Sequence, residues 1–299
     1  MIEAYPKIFT FGSKPVINIL AEEHIIQEKI DGSFFAFGVI DGVLQARSKG
    51  KMLDMDSPEK MFQKGVDYIK SIQDKIPENY VFYCEFLNKP KHNTLEYSRV
   101  PENNLVLFGY LDPSAGFVFS ELSIEYMSGW LGVEPVRYFY NKIRTKEDLD
   151  KLLDQNSQLG GVKIEGVVIK NYKPLLLGNV YIPVTGAKYV SERFKEVHNK
   201  NWKQENTGKG KWEQFKESYR TDARWQKAIQ HLRESGKLEG SPRDISLLIK
   251  EVKQDIMDEE RENILSFLFK TFGDELLRES VKGLPEWYKE KLVEESFNG

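Results

Sequence analysis

The feature that most constrains the fold is a pair of residues, Asp41-Gly42, between the strand-like runs FFAFGVI (34–40) and VLQARS (43–48). A tight turn between antiparallel strands requires positive φ angles, and Asp-Gly adopts them readily. We therefore predict a β-hairpin over residues 34–48.

Strand-like and helix-like segments continue to about residue 200. Strands are predicted at 80–87, 105–111 and 162–172, an extended segment at 133–140, and helices at 57–76, 120–132 and 145–156. Ser57 is the expected N-cap of the first helix, and Thr145 with Asp148 forms a near capping box at the last. This part of the chain is either α/β or α+β with much sheet.

The pattern changes near residue 200, where the chain becomes charged and helix-periodic. Ile245, Leu248, Val252 and Ile256 follow helical spacing. This helix is predicted to stop at Gly273, and another to begin at Leu284. We therefore predict two domains, residues 1–200 and a mainly helical 201–299.

Composition excludes several classes. The 299 residues are 40% hydrophobic and 30% charged with a net charge of −3, so a wholly basic nucleic-acid coat protein is excluded, although a local basic groove is not. Cys84 is the single cysteine, so an internal disulfide is impossible, and the four histidines lack metal-ligand spacing. No signal peptide or membrane-length apolar run is visible, so we expect a cytoplasmic protein without a membrane partner.

The tetrapeptide Lys29-Ile30-Asp31-Gly32 is compatible with two interpretations. A lysine beside a turn is usually a surface residue, and one such match is weak evidence. The alternative is a nucleophile, which needs a neutral amine although the reference pKa is about 10.4. Desolvation or a nearby cation can lower that pKa.

Further charged and aromatic residues recur at strand positions in a fixed order. They are Arg47 in R-S-K-G, Glu85 in Y-C-E-F, Phe108 in L-F-G-Y, Glu165 and Lys170 in E-G-V-V-I-K, and Lys188 in A-K-Y-V. An unpaired carboxylate in an apolar strand is costly, and Glu85 alone would be better explained as a strand-edge acid paired with a surface lysine. Because Lys29 and Glu165 occur at matching offsets, a site is favoured.

This order over residues 5 to 197 resembles the covalent nucleotidyltransferase superfamily of DNA ligases, RNA ligases and mRNA capping enzymes. Within it, the chain looks most like the RNA ligase 2-like family found in bacteriophages. The resemblance implies an α+β fold: an ATP-grasp-like nucleotidyltransferase domain of antiparallel sheets with flanking helices, followed by a smaller, mainly α-helical domain. It also implies an ATP-dependent ligase that joins 5′-phosphate and 3′-OH ends through a lysyl-AMP and an adenylylated 5′ end.

The resemblance assigns roles to nine residues. Lys29, Glu85, Glu165 and Lys188 would be catalytic. Arg47, Lys170 and Lys188 would bind phosphates, Phe108 would stack on adenine, and Glu28 would contact the adenine edge, partly through its backbone. Asp31 would bond the ribose or orient Lys29, and Glu85 and Glu165 would hold ribose hydroxyls or Mg²⁺ (or Mn²⁺).

Two positions depart from the RNA ligase 2 pattern. Val190 stands where a second lysine of the fifth motif is common, so the phosphate role falls on Lys188, helped by Lys170. Asp31 stands where the type enzyme has histidine, although aspartate is common across the superfamily.

The segment from Lys188 to Lys211 contains seven Lys or Arg, three Glu and the aromatic residue Trp202. Such a strip suits a nucleic-acid backbone, and a solvated linker is the alternative. Residues 206–211 lack the phosphate-loop pattern and are predicted to be an interdomain loop.

Three hypotheses follow. An ATP-dependent RNA ligase is favoured, with RNA as its partner, no protein partner implied, and the substrate open between single strands, hairpins, nicked duplexes and RNA/DNA hybrids. A small ATP-dependent DNA ligase needs a β-rich tail, which the sequence does not predict. A catalytically silent nucleic-acid-binding protein would not need the lysine between acids. If the chain is phage-encoded, the cytoplasm would be that of the host.

Overall fold

The computed structural model describes residues 1–140, 143–191, 194 and 211–297. The protein is α+β, with antiparallel sheets and a helical C-terminal region, as predicted. The chain forms two compact units, Met1–Leu248 and Ile249–Gly299. The predicted boundary at 200/201 lies outside the described residues, as does most of the basic strip and of the loop predicted at 206–211.

The secondary structure has the following order. The strands are β1 (Phe9–Thr10), β2 (Ile25–Lys29), β3 (Ser33–Ile40), β4 (Val43–Ser48), β5 (Val81–Phe86), β6 (Leu105–Asp112), β7 (Gly116–Val118), β8 (Glu134–Pro135), β9 (Gly166–Asn171), β10 (Leu175–Leu177), β11 (Val180–Ile182) and β12 (Thr185–Val190). The helices are α1 (Gln63–Ser71), α2 (Glu121–Leu131), α3 (Lys146–Leu152), α4 (Lys211–Ser218), α5 (Asp222–Glu234), α6 (Ile245–Ser280) and α7 (Leu284–Phe297).

Two larger sheets dominate the first unit. One has four strands in the order β1-β12-β9-β2, antiparallel except for the pair β1 and β12. The other has the order β4-β3-β5-β6-β7, with β8 parallel to β6 and the remaining pairs antiparallel. We call them the four-stranded and the six-stranded sheet. β10 and β11 form a separate hairpin.

The predicted hairpin is confirmed. β3 and β4 pair from Ile40 opposite Val43, and the turn residues Asp41 and Gly42 have φ angles of 51° and 77°. These positive angles are the ones that the Asp-Gly pair was expected to adopt.

One face of each larger sheet is apolar. The core of the six-stranded sheet joins residues of β3 and β5, such as Phe35 and Phe86, to Val66 of α1 and Ile124 of α2. In the four-stranded sheet, Ile26, Val167 and Ile169 pack with Leu149 and Leu152 of α3. Because successive strand residues point to opposite faces, the other face carries Lys29 and Lys170 in the four-stranded sheet and Glu85 in the six-stranded sheet.

Helix boundaries show where local hydrogen bonds compete with periodicity. The helix predicted to begin at Ser57 begins at Gln63 instead, because Asp54 Oδ1 accepts hydrogen bonds from the backbone N–H groups of Asp56 and Ser57 and forms a turn there. In contrast, the capping box of Thr145 and Asp148 is present at the start of α3.

The helical region differs from prediction at one point. The helix expected to stop at Gly273 continues to Ser280, and a Gly283 with a positive φ of 84° precedes the predicted helix at Leu284. Gly273 is not in the left-handed region, so it interrupts neither the backbone hydrogen bonds nor the helical path.

Candidate active site

Lys29 lies at the end of β2, and its Nζ donates a hydrogen bond to Glu165 Oε2 at 2.7 Å. Glu165 immediately precedes β9, the strand that pairs with β2, and Lys29 lies opposite Gly166 in the register. The lysine side chain is 27% exposed and the glutamate side chain 8%. The predicted nucleophile and one predicted acid are thus brought together at a partly open edge of the four-stranded sheet.

A second acid, Glu85, reaches the same place from the six-stranded sheet. It lies on β5 opposite Phe34 of β3, and its charge interacts with those of Lys29, Glu165 and Asp31. A Cβ atom at Gly32 would lie 3.1 Å from Glu85 Oε2 and 2.9 Å from the Phe86 carbonyl O. The glycine therefore allows the turn after Lys29 to approach the end of β5 closely.

Burial and the neighbouring charges raise the pKa values of both acids, Glu85 and Glu165, toward neutral pH. Burial raises the pKa of Glu85 to about 8, against the opposing effect of Lys29 and with the added repulsion of Glu165. Burial also raises the pKa of Glu165 to about 7, although Lys29 and Lys188 act in the opposite direction. Carboxyl groups held in this range can accept and release protons at neutral pH.

Lys29 itself differs from the expected low-pKa nucleophile. Burial alone would lower the pKa of the Lys29 amine, but the carboxylates of Glu165 and Glu85 outweigh it and raise that pKa above its ordinary value. The protein's own groups therefore hold the amine protonated, with an acceptor for its proton 2.7 Å away at Glu165.

Lys170 lies on the same face of the sheet but in different surroundings. It is 2% exposed, its Nζ donates to the Phe108 carbonyl O at 3.1 Å, and it lies 4.9 Å from the ring centroid of Tyr5 and 4.7 Å from that of Phe108. Burial lowers the pKa of Lys170 to about 7, while Glu85 acts in the opposite direction. The buried Lys170 amine is not open to phosphates as predicted. It contacts the ring and the carbonyl O of Phe108.

Phe108 lies at an irregularity between β5 and β6 and is half-buried. Its ring centroid is 5.2 Å from that of Tyr5 and 6.4 Å from that of Phe34. Its carbonyl O accepts hydrogen bonds from Gln27 Nε2 and Lys170 Nζ, both at 3.1 Å. Tyr5, Phe34 and Phe108 thus form a group of neighbouring aromatic rings, and the adenine contact of Phe108 stays a prediction.

The two remaining predicted cations, Lys188 and Arg47, have different surroundings. Lys188 of β12 lies opposite Val168, on the same sheet face as Lys29, and its charge acts on Glu165. Arg47 of β4 donates from Nη1 to the Ile2 carbonyl O at 3.1 Å. Lys188 is therefore part of the cluster around Lys29, whereas Arg47 contacts the N-terminal segment.

The side chain of Glu28, which was predicted to contact the adenine edge, points away from the side chain of Lys29. Glu28 alternates with Lys29 along β2, so its side chain points to the other face of the sheet and is 3% exposed. Its carboxylate accepts hydrogen bonds from Ser157 Oγ at 2.5 Å and from Gln158 N at 3.0 Å. The Glu28 side chain anchors the 157–158 loop and does not join the cluster around Lys29.

The charge of Asp31 interacts with that of Lys29, but the hydrogen bonds of Asp31 go to other residues. Its Oδ2 accepts from the backbone N–H groups of Thr94 at 2.8 Å and Leu95 at 2.7 Å, and its own N–H donates to Tyr97 Oη at 2.8 Å. These contacts fix the turn that follows Lys29, and the two predicted roles of Asp31, orienting Lys29 or bonding the ribose, stay predictions.

The loop over residues 88–97, which holds this turn, was not predicted from the sequence. Asn93 Nδ2 donates to the Gly32 carbonyl O at 2.8 Å, and His92 Nε2 lies 2.9 Å from Ser33 Oγ. His92 Nδ1 accepts from Asn88 N, and burial lowers the pKa of His92 to about 4, so the ring is neutral and Nε2–H is the donor to Ser33. Neutral residues in an irregular loop give no periodic or motif signal that could have identified them.

Within the described parts of the chain, no group of three or more His, Cys, Asp or Glu side chains is arranged to hold a metal ion. Glu85 and Glu165 nevertheless provide paired oxygen donors of the type that Mg²⁺ and Mn²⁺ bind. None of the described helices is both long and apolar enough to span a membrane.

The fold and the lysine-centred cluster agree with the nucleotidyltransferase class that the motif order indicates. The sequence model described as RNA ligase matches residues 22–190, more than half of the 299 residues. The chain belongs to the RNA ligase family. No curated protein sequence matches it.

Solved structures similar to this chain include RNA ligases of Naegleria gruberi. The ligase with PPi is 16% identical with a TM-score of 0.47, over 64% of this chain and 56% of that one. A variant with ATP and Mn is 14% identical with a TM-score of 0.44, over 63% and 56%. A variant with AMP and Mn is 15% identical, with the same TM-score and the same coverage. This chain therefore aligns with only a little over half the length of those proteins.

Proposed function

We propose that the protein is an ATP-dependent RNA ligase that seals 5′-phosphate and 3′-OH ends through a lysyl-AMP on Lys29. The observation that carries the proposal is the contact of Lys29 Nζ with Glu165 at 2.7 Å, near a second, partly buried acid, Glu85. Membership of the RNA ligase family, matched over residues 22–190, supports the same activity.

In the first step, Lys29 transfers a proton to Glu165 and its neutral Nζ attacks the α-phosphorus of ATP. The Nζ–P bond forms, the bond from the α-phosphorus to the bridging oxygen breaks, and pyrophosphate leaves, taking up the second proton that Nζ gives up as the phosphoramidate forms. The raised pKa of Glu165, about 7, suits it as the proton acceptor. The turn contacts of Asp31 hold the lysine for in-line attack.

In the later steps, a 5′-phosphate oxygen of the RNA attacks the adenylyl phosphorus and Lys29 leaves, regaining a proton. The 3′-OH oxygen of the other end then attacks the activated 5′-phosphate and gives its proton to solvent, the bond from the 5′-phosphorus to the adenylyl oxygen breaks, a phosphodiester forms and AMP leaves. Lys188, beside Glu165, is the proposed phosphate contact, and Phe108 is the proposed stacking surface for adenine.

The proposed metal cofactor is Mg²⁺ or Mn²⁺, held by Glu85 and Glu165. The donor chemistry fits, because two carboxylates crowd each other and a divalent cation would relieve their repulsion. When bound, the ion would neutralise phosphate charge and lower the pKa of Lys29, opposing the effect of the free carboxylates.

Four finer assignments remain part of the proposal: the RNA ligase 2-like subfamily, nucleic-acid binding by residues 201–299, a cytoplasmic location, and RNA in preference to DNA. The described residues 211–297 form helices α4 to α7. That supports an accessory region unlike the small β-barrel that a DNA ligase would be expected to carry.

The test uses end-labelled RNA and DNA strands, single or nicked on a complementary strand, with ATP and Mg²⁺. We expect ATP-dependent sealing of RNA ends by the wild type. Lys29→Ala should lose it, yet still seal a strand that already carries 5′-AMP. Sealing of DNA alone would support the DNA ligase hypothesis, and binding without sealing would support a silent nucleic-acid-binding protein.

A further inference from the structure

Helix α5 lies beyond the segment that the RNA ligase family model matches, yet its last turns contact the turn that follows Lys29. Gln230 Nε2 donates to the Gly32 carbonyl O at 3.0 Å and to Glu234 Oε1 at 2.8 Å. Both partners are acceptors, so the amide nitrogen of Gln230 must face them, and both of its N–H bonds are used.

The Gly32 carbonyl receives a second donor from a different element. Asn93 Nδ2, in the 88–97 loop, also donates to it at 2.8 Å. One backbone carbonyl, three residues after Lys29, is therefore held by two side-chain amides, one from a loop inside the family-matched region and one from α5 outside it.

The same end of α5 also contacts the segment after β4. Lys49 Nζ lies 3.1 Å from His231 Nε2, and Lys51 Nζ donates to the Ser235 carbonyl O at 3.4 Å. Lys49 and Lys51 belong to the R-S-K-G-K stretch, residues 47–51, that begins with Arg47. The C-terminal end of α5 thus joins two motif segments of the first unit.

The hydrogen bonds of Gln230 are separate from the apolar contacts that hold helix α5 in place. Ala228 and Leu232 of α5 are 2% and 4% exposed, so apolar packing holds the helix in place. Gln230 is half-buried and adds a directional contact to the turn. Removing its amide should therefore loosen the turn without releasing the helix.

We propose that Gln230 is a positioning residue for lysine adenylylation: by fixing the Gly32 carbonyl, it sets the place of Lys29 relative to Glu165 and Glu85. The inference rests on the proposed function. Displacement of a reacting group by about 1 Å can cost about 100-fold in rate, so a single hydrogen bond behind the nucleophile matters for the bond-forming step.

The test compares Gln230→Ala with Gln226→Ala, an exposed glutamine one turn earlier on the same helix. Single-turnover formation of enzyme-AMP is measured against ATP concentration, and sealing of pre-adenylylated RNA is measured separately. We expect Gln230→Ala to lower the maximal adenylylation rate about 10- to 100-fold, with the half-saturating ATP concentration and the sealing rate within about threefold of wild type. Gln226→Ala should match wild type in all three.

Adenylylation by Gln230→Ala at the wild-type rate would overturn the inference. So would an equal loss of adenylylation and sealing, because that pattern indicates general damage to the fold. Gln230→Glu keeps the shape but places an acceptor against the Gly32 carbonyl, so it should be at least as slow as Gln230→Ala; a wild-type rate would show that packing alone matters.

Amide hydrogen exchange separates this inference from the proposed function, because it needs no ATP. Exchange in a peptide spanning residues 28–34 should be faster in Gln230→Ala than in wild type and unchanged in Gln226→Ala. If the wild type takes no AMP label while this difference appears, the ligase proposal fails and the turn contact stands. If exchange is the same in both variants, the positioning inference fails whatever the labelling result.

Discussion

Lys29 of β2 and Lys170 of β9 lie on paired strands of one sheet and point to the same face. Lys29 lies opposite Gly166 at one end of the pairing, and Lys170 lies opposite Ile25 at the other. Lys29 faces carboxylates, which raise the pKa of its amine above the ordinary value. Lys170 lies among the rings of Tyr5, Phe108 and Phe119, where burial lowers its pKa to about 7. Burial acts to lower the pKa of both amines, and only at Lys29 do the neighbouring carboxylates of Glu165 and Glu85 reverse that effect.

The proton acceptor of Lys29 gives the largest expected effect. Glu165→Gln keeps a side chain of similar size but cannot accept the amine proton, so adenylylation by ATP at neutral pH should fall about 1,000-fold. Single-turnover labelling with α-labelled ATP measures it, with the exposed Glu96→Gln as the matched control. A loss below tenfold would assign proton removal to another group.

The buried Lys170 should make stability depend on pH. Its folded pKa is about 7, below the reference value of 10.5, so the unfolded chain binds more protons between these values and stability rises with pH across that window. At 1.36 kcal/mol per pKa unit, the contribution lost as pH falls from 10.5 to 7 is roughly 4 kcal/mol. Urea unfolding of wild type and Lys170→Met at several pH values measures it. Parallel stability curves for the two proteins would contradict the buried, depressed lysine.

Phe108, one of the aromatic residues around Lys170, is expected to affect the binding of ATP. Phe108→Ala removes the proposed stacking surface, which is worth about 1–3 kcal/mol, so the half-saturating ATP concentration should rise about 10- to 100-fold with little change in the maximal adenylylation rate. Tyr110→Ala, on the same strand but in the core, is the control for loss of packing. An unchanged ATP dependence in Phe108→Ala would remove adenine stacking from the account.

The smallest effect is a shift in the titration of Lys29. Glu165→Gln removes the charge that contributes most to raising the pKa of Lys29, so that pKa should move down. Acetylation of the amine at a series of pH values, followed by mass spectrometry without ATP, measures it, and the exposed Lys14 is the internal reference. No shift in Lys29 would mean that Glu165 does not set its protonation.

Much of this could be predicted from short-range patterns. The Asp41-Gly42 turn and the Thr145–Asp148 capping box follow from local backbone chemistry, and both are present. The order of motifs predicted that Lys29 and Glu165 would meet, and they are in contact across paired strands.

Other features depend on tertiary placement that no local pattern encodes. Strand alternation places Glu28 on the opposite face from Lys29, but only the folded chain brings Ser157 to its carboxylate. Lys170 has the spacing of a phosphate ligand, yet the aromatic residues that enclose it come from distant segments. Gln230 contacts Gly32 across 198 positions of sequence, so only the fold reveals it.

The central claim is that Lys29 becomes covalently bonded to AMP. The protein is incubated with α-labelled ATP and Mg²⁺, denatured, digested and analysed by mass spectrometry, with Lys29→Ala and Lys170→Met in parallel. We expect one AMP on the peptide that contains Lys29 in wild type and in Lys170→Met, and none in Lys29→Ala. AMP on any other lysine, or undiminished labelling of Lys29→Ala, would contradict it.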